Sequence, residues 1–201
     1  MSNEMYRTKD EIRDFFKENN IQYQERTSVK WKPILKKRLY NSDYYLENQE
    51  CFEDITEEYE LKILECDMPP LYIRRVSEDI GYGVFADKLI KKEDFIGEYA
   101  GVIQLSDPDS FDEENNHGYE TDYTWYYLDD SYPDLEINGR FVCNEMRFVN
   151  HSANANVDVE HTIIEGQWII FFKAARDIKK DEEILISYGE AYWEEGVRDL
   201  A

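Results

Sequence analysis

Pro69-Pro70 divides the chain by its hydrophobic period. Proline lacks the backbone N–H that a helix needs and pushes the residue before it out of the helical region, so no helix runs through such a pair. Ahead of it, Phe52, Ile55, Tyr59 and Ile63 recur at helical spacing. They lie among ten carboxylates and the single Lys62 between Asp43 and Asp67, the pattern of one amphipathic helix stopped by the prolines. Thr8-Lys9-Asp10-Glu11 reads as a capping box opening a shorter helix, with Ile12, Phe15 and Phe16 on one face and an end at Asn19-Asn20. Beyond Pro70 short β-rich segments separated by turns predict strands at 71–76, 83–86, 95–99, 168–172 and 184–188. The organisation expected is an N-terminal helical segment over 1–70, a mainly β domain with some α over 71–193, and a tail over 194–201.

Charge narrows the partners. With 45 Asp+Glu against 23 Lys+Arg the net charge is -22, which repels a phosphate backbone and attracts cations, so a direct nucleic-acid partner is disfavoured. The acidity is uneven: residues 104–139 form an acidic, aromatic insert, in which eleven carboxylates and no Lys or Arg lie between Ser106 and Gly139, interleaved with Tyr119, Tyr123, Trp125, Tyr126 and Tyr127. Cys51, Cys66 and Cys143 show neither metal-binding nor disulfide spacing, which fits a reducing compartment, with Cys51 and Cys66 read as small core residues on or near a helical face. No zinc site is expected. No apolar signal core or membrane-length run occurs, so a soluble protein is expected, with no membrane partner.

Three segments carry the densest chemistry. Gly81-Tyr82-Gly83-Val84-Phe85-Ala86 lets the backbone bend and approach a ligand, and taken alone it suits a plain hairpin equally well. Arg147-Phe148-Val149-Asn150-His151-Ser152, flanked by Asn144, Asn154 and Asn156, concentrates hydrogen-bonding side chains beyond what packing requires. Glu182 to Gly189 delivers Tyr188 at the end of an apolar strand. His117 and His161 lack a partner pattern and read as surface residues.

In this order the segments resemble the SET-domain family of protein lysine methyltransferases. Gly81-Tyr82-Gly83 is similar to its first glycine motif and Glu98-Tyr99-Ala100-Gly101 to its Tyr-x-Gly. Ile137-Asn138-Gly139 with Cys143-Asn144 stands where the family has Val-Asp-Ala and Gly-Asn, the Arg147 run matches Arg-Phe-x-Asn-His-Ser, and Glu183 to Gly189 matches the closing Glu-Leu-x-x-Asp-Tyr-Gly. Ala153, Ala155 and Ser187 depart from the family's Cys, Pro and Asp, and the cysteine-rich zinc segment that follows many members does not appear. The match is strongest to the short SET proteins of chlamydiae and related intracellular bacteria.

The resemblance implies a β-fold of small curved sheets with a pseudoknot, S-adenosylmethionine as cofactor, and a basic histone or histone-like substrate. On it Tyr188 and Tyr99 are the catalytic tyrosines. Gly81, Tyr82, Gly83, Arg147, Asn150, His151, Tyr188 and Trp193 bind the cofactor, with Tyr192 beside Trp193 over the adenine. Tyr99, Tyr126, Tyr127 and Ile186 line the lysine site, Ile186 standing where relatives control how many methyl groups fit. The location implied is bacterial cytoplasm, or a host cell and its nucleus after secretion. Two other readings stay open: a non-catalytic acidic module that binds basic chromatin proteins, and a methyltransferase for a non-chromatin protein. The N-terminal helices serve equally as a brace or as a homodimer contact.

Overall fold

The computed structural model describes residues 4–30, 39–105, 123–126 and 135–189. Helix α1 (Lys9–Glu18) starts as the capping box dictates. The Thr8 hydroxyl accepts the Glu11 N–H at 3.2 Å, and the Glu11 carboxylate accepts the Thr8 N–H at 2.9 Å. Asn19 caps its other end, and Asn20 turns the chain at a φ of 56°. The face formed by Ile12, Phe15 and Phe16 is buried against Ile21, Ile73 and Cys143.

The single helix expected over 43–67 is two, α2 (Asp43–Glu47) and α3 (Gln49–Leu64). Asn48 makes the break. Its side-chain amide donates at 2.8 Å to the Tyr44 carbonyl, the acceptor its own N–H would need in a continuous helix, and that N–H turns to Tyr45 O instead. Nor do the prolines end α3. Cys66 adopts a φ of 53°, its N–H bonds Ile63 O, and the Asp67 N–H bonds Lys62 O at 2.9 Å, a Schellman closure completed before Pro69. Cys66 is therefore a partly buried cap and Cys51 is exposed, so neither is a core residue. Phe52, Tyr59 and Ile63 do form the buried face of α3.

Five small sheets follow. The strands are β1 (Met5–Tyr6), β2 (Gln22–Tyr23), β3 (Ser28–Val29), β4 (Leu71–Ser77), β5 (Gly81–Ala86), β6 (Phe95–Glu98), β7 (Val102–Leu105), β8 (Thr124–Tyr126), β9 (Leu135–Asn138), β10 (Val142–Cys143), β11 (Asn150–His151), β12 (Val157–Ile164), β13 (Gln167–Ala174) and β14 (Leu185–Ile186). They pair in the orders β1-β4-β5, β10-β2, β11-β14, β12-β13-β6 and β3-β7-β9-β8. The residues before Pro70 thus supply edge strands to three sheets as well as helices, in pieces of two residues that carry no alternation to read. The longest antiparallel pair, β12 with β13, keeps one register from Val157↔Ala174 to Ile164↔Gln167.

His161, expected at the surface, sits on β12 half-buried. Its ring stacks on Trp168 at 5.0 Å, Tyr44 Oη lies 3.1 Å from its Nε2, and burial holds its pKa below the usual value. The principal core joins Val84, Ile96, Ile103, Ile137, Trp168, Phe172 and Ile184, and so ties β5, β6, β7, β9 and β13 into one body.

Candidate functional site

The end of the described chain threads between β5 and the loop 150–156. On one side Ala86 N–H bonds Glu182 O at 3.0 Å and Ile184 N–H bonds Val84 O at 2.8 Å. On the other, Asn156 N–H bonds Leu185 O at 3.0 Å and Ser152 N–H bonds Ile186 O at 2.9 Å. Parallel pairing of Asn150↔Leu185 and His151↔Ile186 completes the knot-like crossing. Asn156 fastens it: buried, it donates to Glu183 O at 2.7 Å and accepts the Leu185 N–H at 2.8 Å. That asparagine holds the segment that carries Ala153 and Ala155.

A cavity of about 340 Å³ lies beside the crossing. Gly81, Tyr82, Tyr99, Arg147, Asn150, Ile186 and Tyr188 line it, so seven of the residues singled out in the sequence share one space. Tyr99 is buried, with its hydroxyl donating to Tyr123 O at 2.8 Å and its ring edge-on to Trp125 at 5.8 Å; burial keeps the phenol protonated well past its ordinary range. Gly139 allows this, since a Cβ there would stand 2.8 Å from the Tyr99 hydroxyl. The Tyr188 hydroxyl donates to Val149 O at 2.9 Å, and its backbone N–H bonds His151 Nδ1 at 3.1 Å. His151 therefore accepts at Nδ1 and pins the crossing from outside the cavity wall.

Asn150 donates its side-chain amide to Tyr82 O at 3.1 Å and to Glu183 Oε1 at 2.9 Å. Gly83 is buried behind the lining: a Cβ there would meet Glu183 Oε1 at 2.5 Å and Asn150 Nδ2 at 3.0 Å, so its lack of a side chain serves the seating of Asn150. Gly81, at a φ of 81°, has no atom within 4 Å of its Cβ direction, which leaves that side of the backbone open. Tyr82 is held from the other side, its hydroxyl donating to Glu4 at 2.6 Å. The Arg147 guanidinium lies 3.9 Å over the Tyr123 ring, and its Nε is buried with no hydrogen-bond partner among the described residues, a donor suited to an anionic ligand group.

The lining also includes Tyr123, Trp125, Met146 and Phe148, which the motif reading did not assign. Tyr123 and Trp125 were visible as aromatics of the insert; their placement depends on β8 pairing with β9, a long-range contact that spacing does not encode. Tyr126 lies on β8, with its side chain outside the described residues, as are Tyr119, His117, Tyr127, Tyr192 and Trp193. Among the described residues the insert contributes one carboxylate, Glu136, and it is buried, accepting from Gln104 at 2.7 Å. Among the described residues no group of three or more His, Cys, Asp or Glu is placed to hold a metal, and no helix is long and apolar enough to cross a membrane.

Small sheets, a threaded C-terminal strand and a tyrosine-walled cavity beside it define a fold class that comparison identifies. A family model described as SET domain matches residues 81–189, more than half of the chain, and the chain belongs to that family. Among curated relatives, the histone-lysine N-methyltransferase EZH2 of Chaetomium thermophilum is 32% identical over 124 residues, 57% of this chain and 8% of that protein. The putative histone-lysine N-methyltransferase ASHH4 of Arabidopsis thaliana is 31% identical over 135 residues, 62% of this chain and 37% of that protein. The chain thus spans well under half the length of these relatives. Among solved structures, the Chaetomium thermophilum polycomb repressive complex 2 is similar at a TM-score of 0.53 and 25% identity, covering 61% of this chain and 16% of that one. ATXR5 in complex with mono-methylated histone H3.1 shares the fold at a TM-score of 0.62 and 21% identity, over 89% of this chain and 86% of that one.

Proposed function

We propose that this chain is an S-adenosylmethionine-dependent protein lysine N-methyltransferase acting on basic histone or histone-like proteins. One observation carries the reading: two tyrosines of one cavity, Tyr99 and Tyr188, each donate their hydroxyl proton to a backbone carbonyl. The proton of each hydroxyl is thereby committed, so toward a ligand its oxygen can act only as an acceptor. Two such acceptors suit the N–H bonds of a neutral amine and orient its lone pair.

Methyl transfer to an amine is an in-line displacement in which alignment carries most of the catalysis. The amine must be neutral, and bringing a lysine from about 10.4 to near neutrality takes about 4 to 5 kcal/mol. Walls made by Tyr99, Trp125 and Ile186 supply this by denying the ammonium water. S-adenosylmethionine, when bound, supplies the activated methyl group. Arg147, with its unpartnered buried Nε, would take a ligand carboxylate; Asn150 would offer its amide oxygen; the open side of Gly81 would admit the ligand's approach; and Trp193 with Tyr192 would cover its adenine.

On this reading residues 71–193 are the catalytic domain, 1–70 an N-terminal segment, and 104–139 a substrate-facing insert whose acidity draws a Lys- and Arg-rich tail. The kinship extends to the short SET proteins of chlamydiae, with the protein working as a bacterial effector on chromatin without zinc. The experiment is to mix the chain with methyl-labelled S-adenosylmethionine and a panel of histones and bacterial histone-like proteins. Transfer to lysines of at least one basic protein is expected; cofactor binding with no transfer to any of them would refute the reading.

A further inference from the structure

One stretch of the N-terminal segment pairs with the backbone next to both walls of the cavity. Gln22 N–H and Gln24 N–H bond Phe141 O and Cys143 O, each at 2.8 Å, just ahead of the segment that carries Arg147 and Asn150. Ser28 N–H and Lys30 N–H bond Gly101 O at 2.9 Å and Ile103 O at 3.0 Å, just after Tyr99. Between these ends two buried carboxyls, one from each wall, reach the same stretch. Glu145, 5% exposed, accepts the Tyr23 hydroxyl at 3.2 and 3.3 Å. Glu98, 3% exposed, accepts the Thr27 N–H at 2.7 Å through one oxygen and stands 3.5 Å from Arg26 Nε through the other, an ion pair without a hydrogen bond. Asn144, fully buried, joins the walls across it by donating to Glu98 O at 2.7 Å and Glu25 O at 3.4 Å.

A surface strand held only by backbone bonds would not need two carboxyls desolvated beneath it. We infer that residues 22–30 are a positioning strap for the proposed methyl transfer, with Glu98 as its anchor on the Tyr99 wall and Glu145 as its anchor on the Arg147–Asn150 wall. Neither carboxyl lines the cavity; each acts through the backbone of the residue that does. The two anchors therefore control different quantities: Glu98 the placement of the amine-orienting tyrosine, Glu145 the placement of the cofactor wall.

This rests on the methyltransferase reading, and the test separates the two. Steady-state kinetics on the full chain are measured together with amide hydrogen exchange over residues 98–103 and 144–150, for Tyr23→Phe, Glu98→Ala and Glu98→Gln. Tyr23→Phe, which removes one oxygen, is expected to raise KM for S-adenosylmethionine at least fivefold with kcat within twofold, and to speed exchange over 144–150 alone. Glu98→Ala is expected to lower kcat at least tenfold with that KM within twofold, and to speed exchange over 98–103 alone. Glu98→Gln should recover most of the rate, because its amide oxygen still accepts the Thr27 N–H. If both parameters and both segments respond alike in every variant, or only the melting temperature moves, the strap is mere scaffolding and the inference falls. If the wild type transfers no methyl yet exchange responds wall by wall, the strap stands and the methyltransferase reading falls.

Discussion

On the proposed reading Tyr99 and Tyr188 owe their role to their neighbours: the carbonyl that each hydroxyl already serves leaves the phenol oxygen to act toward an amine as an acceptor. The same dependence makes glycines decisive at this scale. Gly83→Ala would drive a Cβ into Glu183 and Asn150, so it should cost about 2 kcal/mol of stability and weaken cofactor binding at least tenfold, by urea denaturation and calorimetry. The buried carboxyls set a pH dependence. Burial pushes both Glu98 and Glu145 above the usual carboxyl range, with Thr27 and Arg26 opposing it at Glu98 and Tyr23 at Glu145. A folded pKa above the unfolded one means that the folded state binds protons better. The contribution is thus full below the unfolded value of about 4.3 and is lost as pH rises through the folded value. Exposed carboxyls pull the other way as pH falls: Glu11, held below its usual range by the Thr8 and Arg7 N–H bonds, and Asp177, held there by Lys91 and then by the Lys92 N–H. The stability of wild type relative to Glu98→Gln should therefore decline as pH rises above about 4.3, measured by denaturation across that range; a flat difference would contradict it.

Helices and strands were legible to the extent that their signals are local. The capping box at Thr8, the faces of α1 and α3, and strands β4, β5, β6 and β13 could be read because period and cap chemistry sit within a few residues. Asn48 and Cys66 escaped because each acts through one backbone geometry: a side-chain amide that takes a helical carbonyl, and a left-handed cap where glycine is usual. Cys66→Gly should accordingly stabilise the chain by up to about 1 kcal/mol, seen as a raised denaturation midpoint with unchanged slope. The strands of residues 5–29 are too short to show alternation and exist through partners far along the chain. The site was legible for the same reason in part. Tyr99, Asn150 and Tyr188 stand in motifs, whereas Tyr123, Trp125 and the strap anchors enter through pairing that no spacing reports.

For the whole molecule, a net charge of -22 with a carboxylate-rich insert would make encounter with the proposed basic substrate electrostatic. Raising salt from about 0.1 M to about 1 M shortens the screening length from roughly 10 Å to roughly 3 Å. The KM for a histone substrate should rise at least tenfold while the KM for S-adenosylmethionine changes little. A protein that only grips basic chromatin proteins would share that salt dependence, so charge does not separate a binder from an enzyme. Tyr188 does. The decisive measurement is methyl transfer from labelled S-adenosylmethionine to a histone panel by wild type and Tyr188→Phe, with substrate affinity measured alongside. The account predicts transfer to lysine by wild type, a loss of at least a hundredfold in Tyr188→Phe, and equal affinity in both. Substrate binding by both with no transfer by the wild type would contradict it.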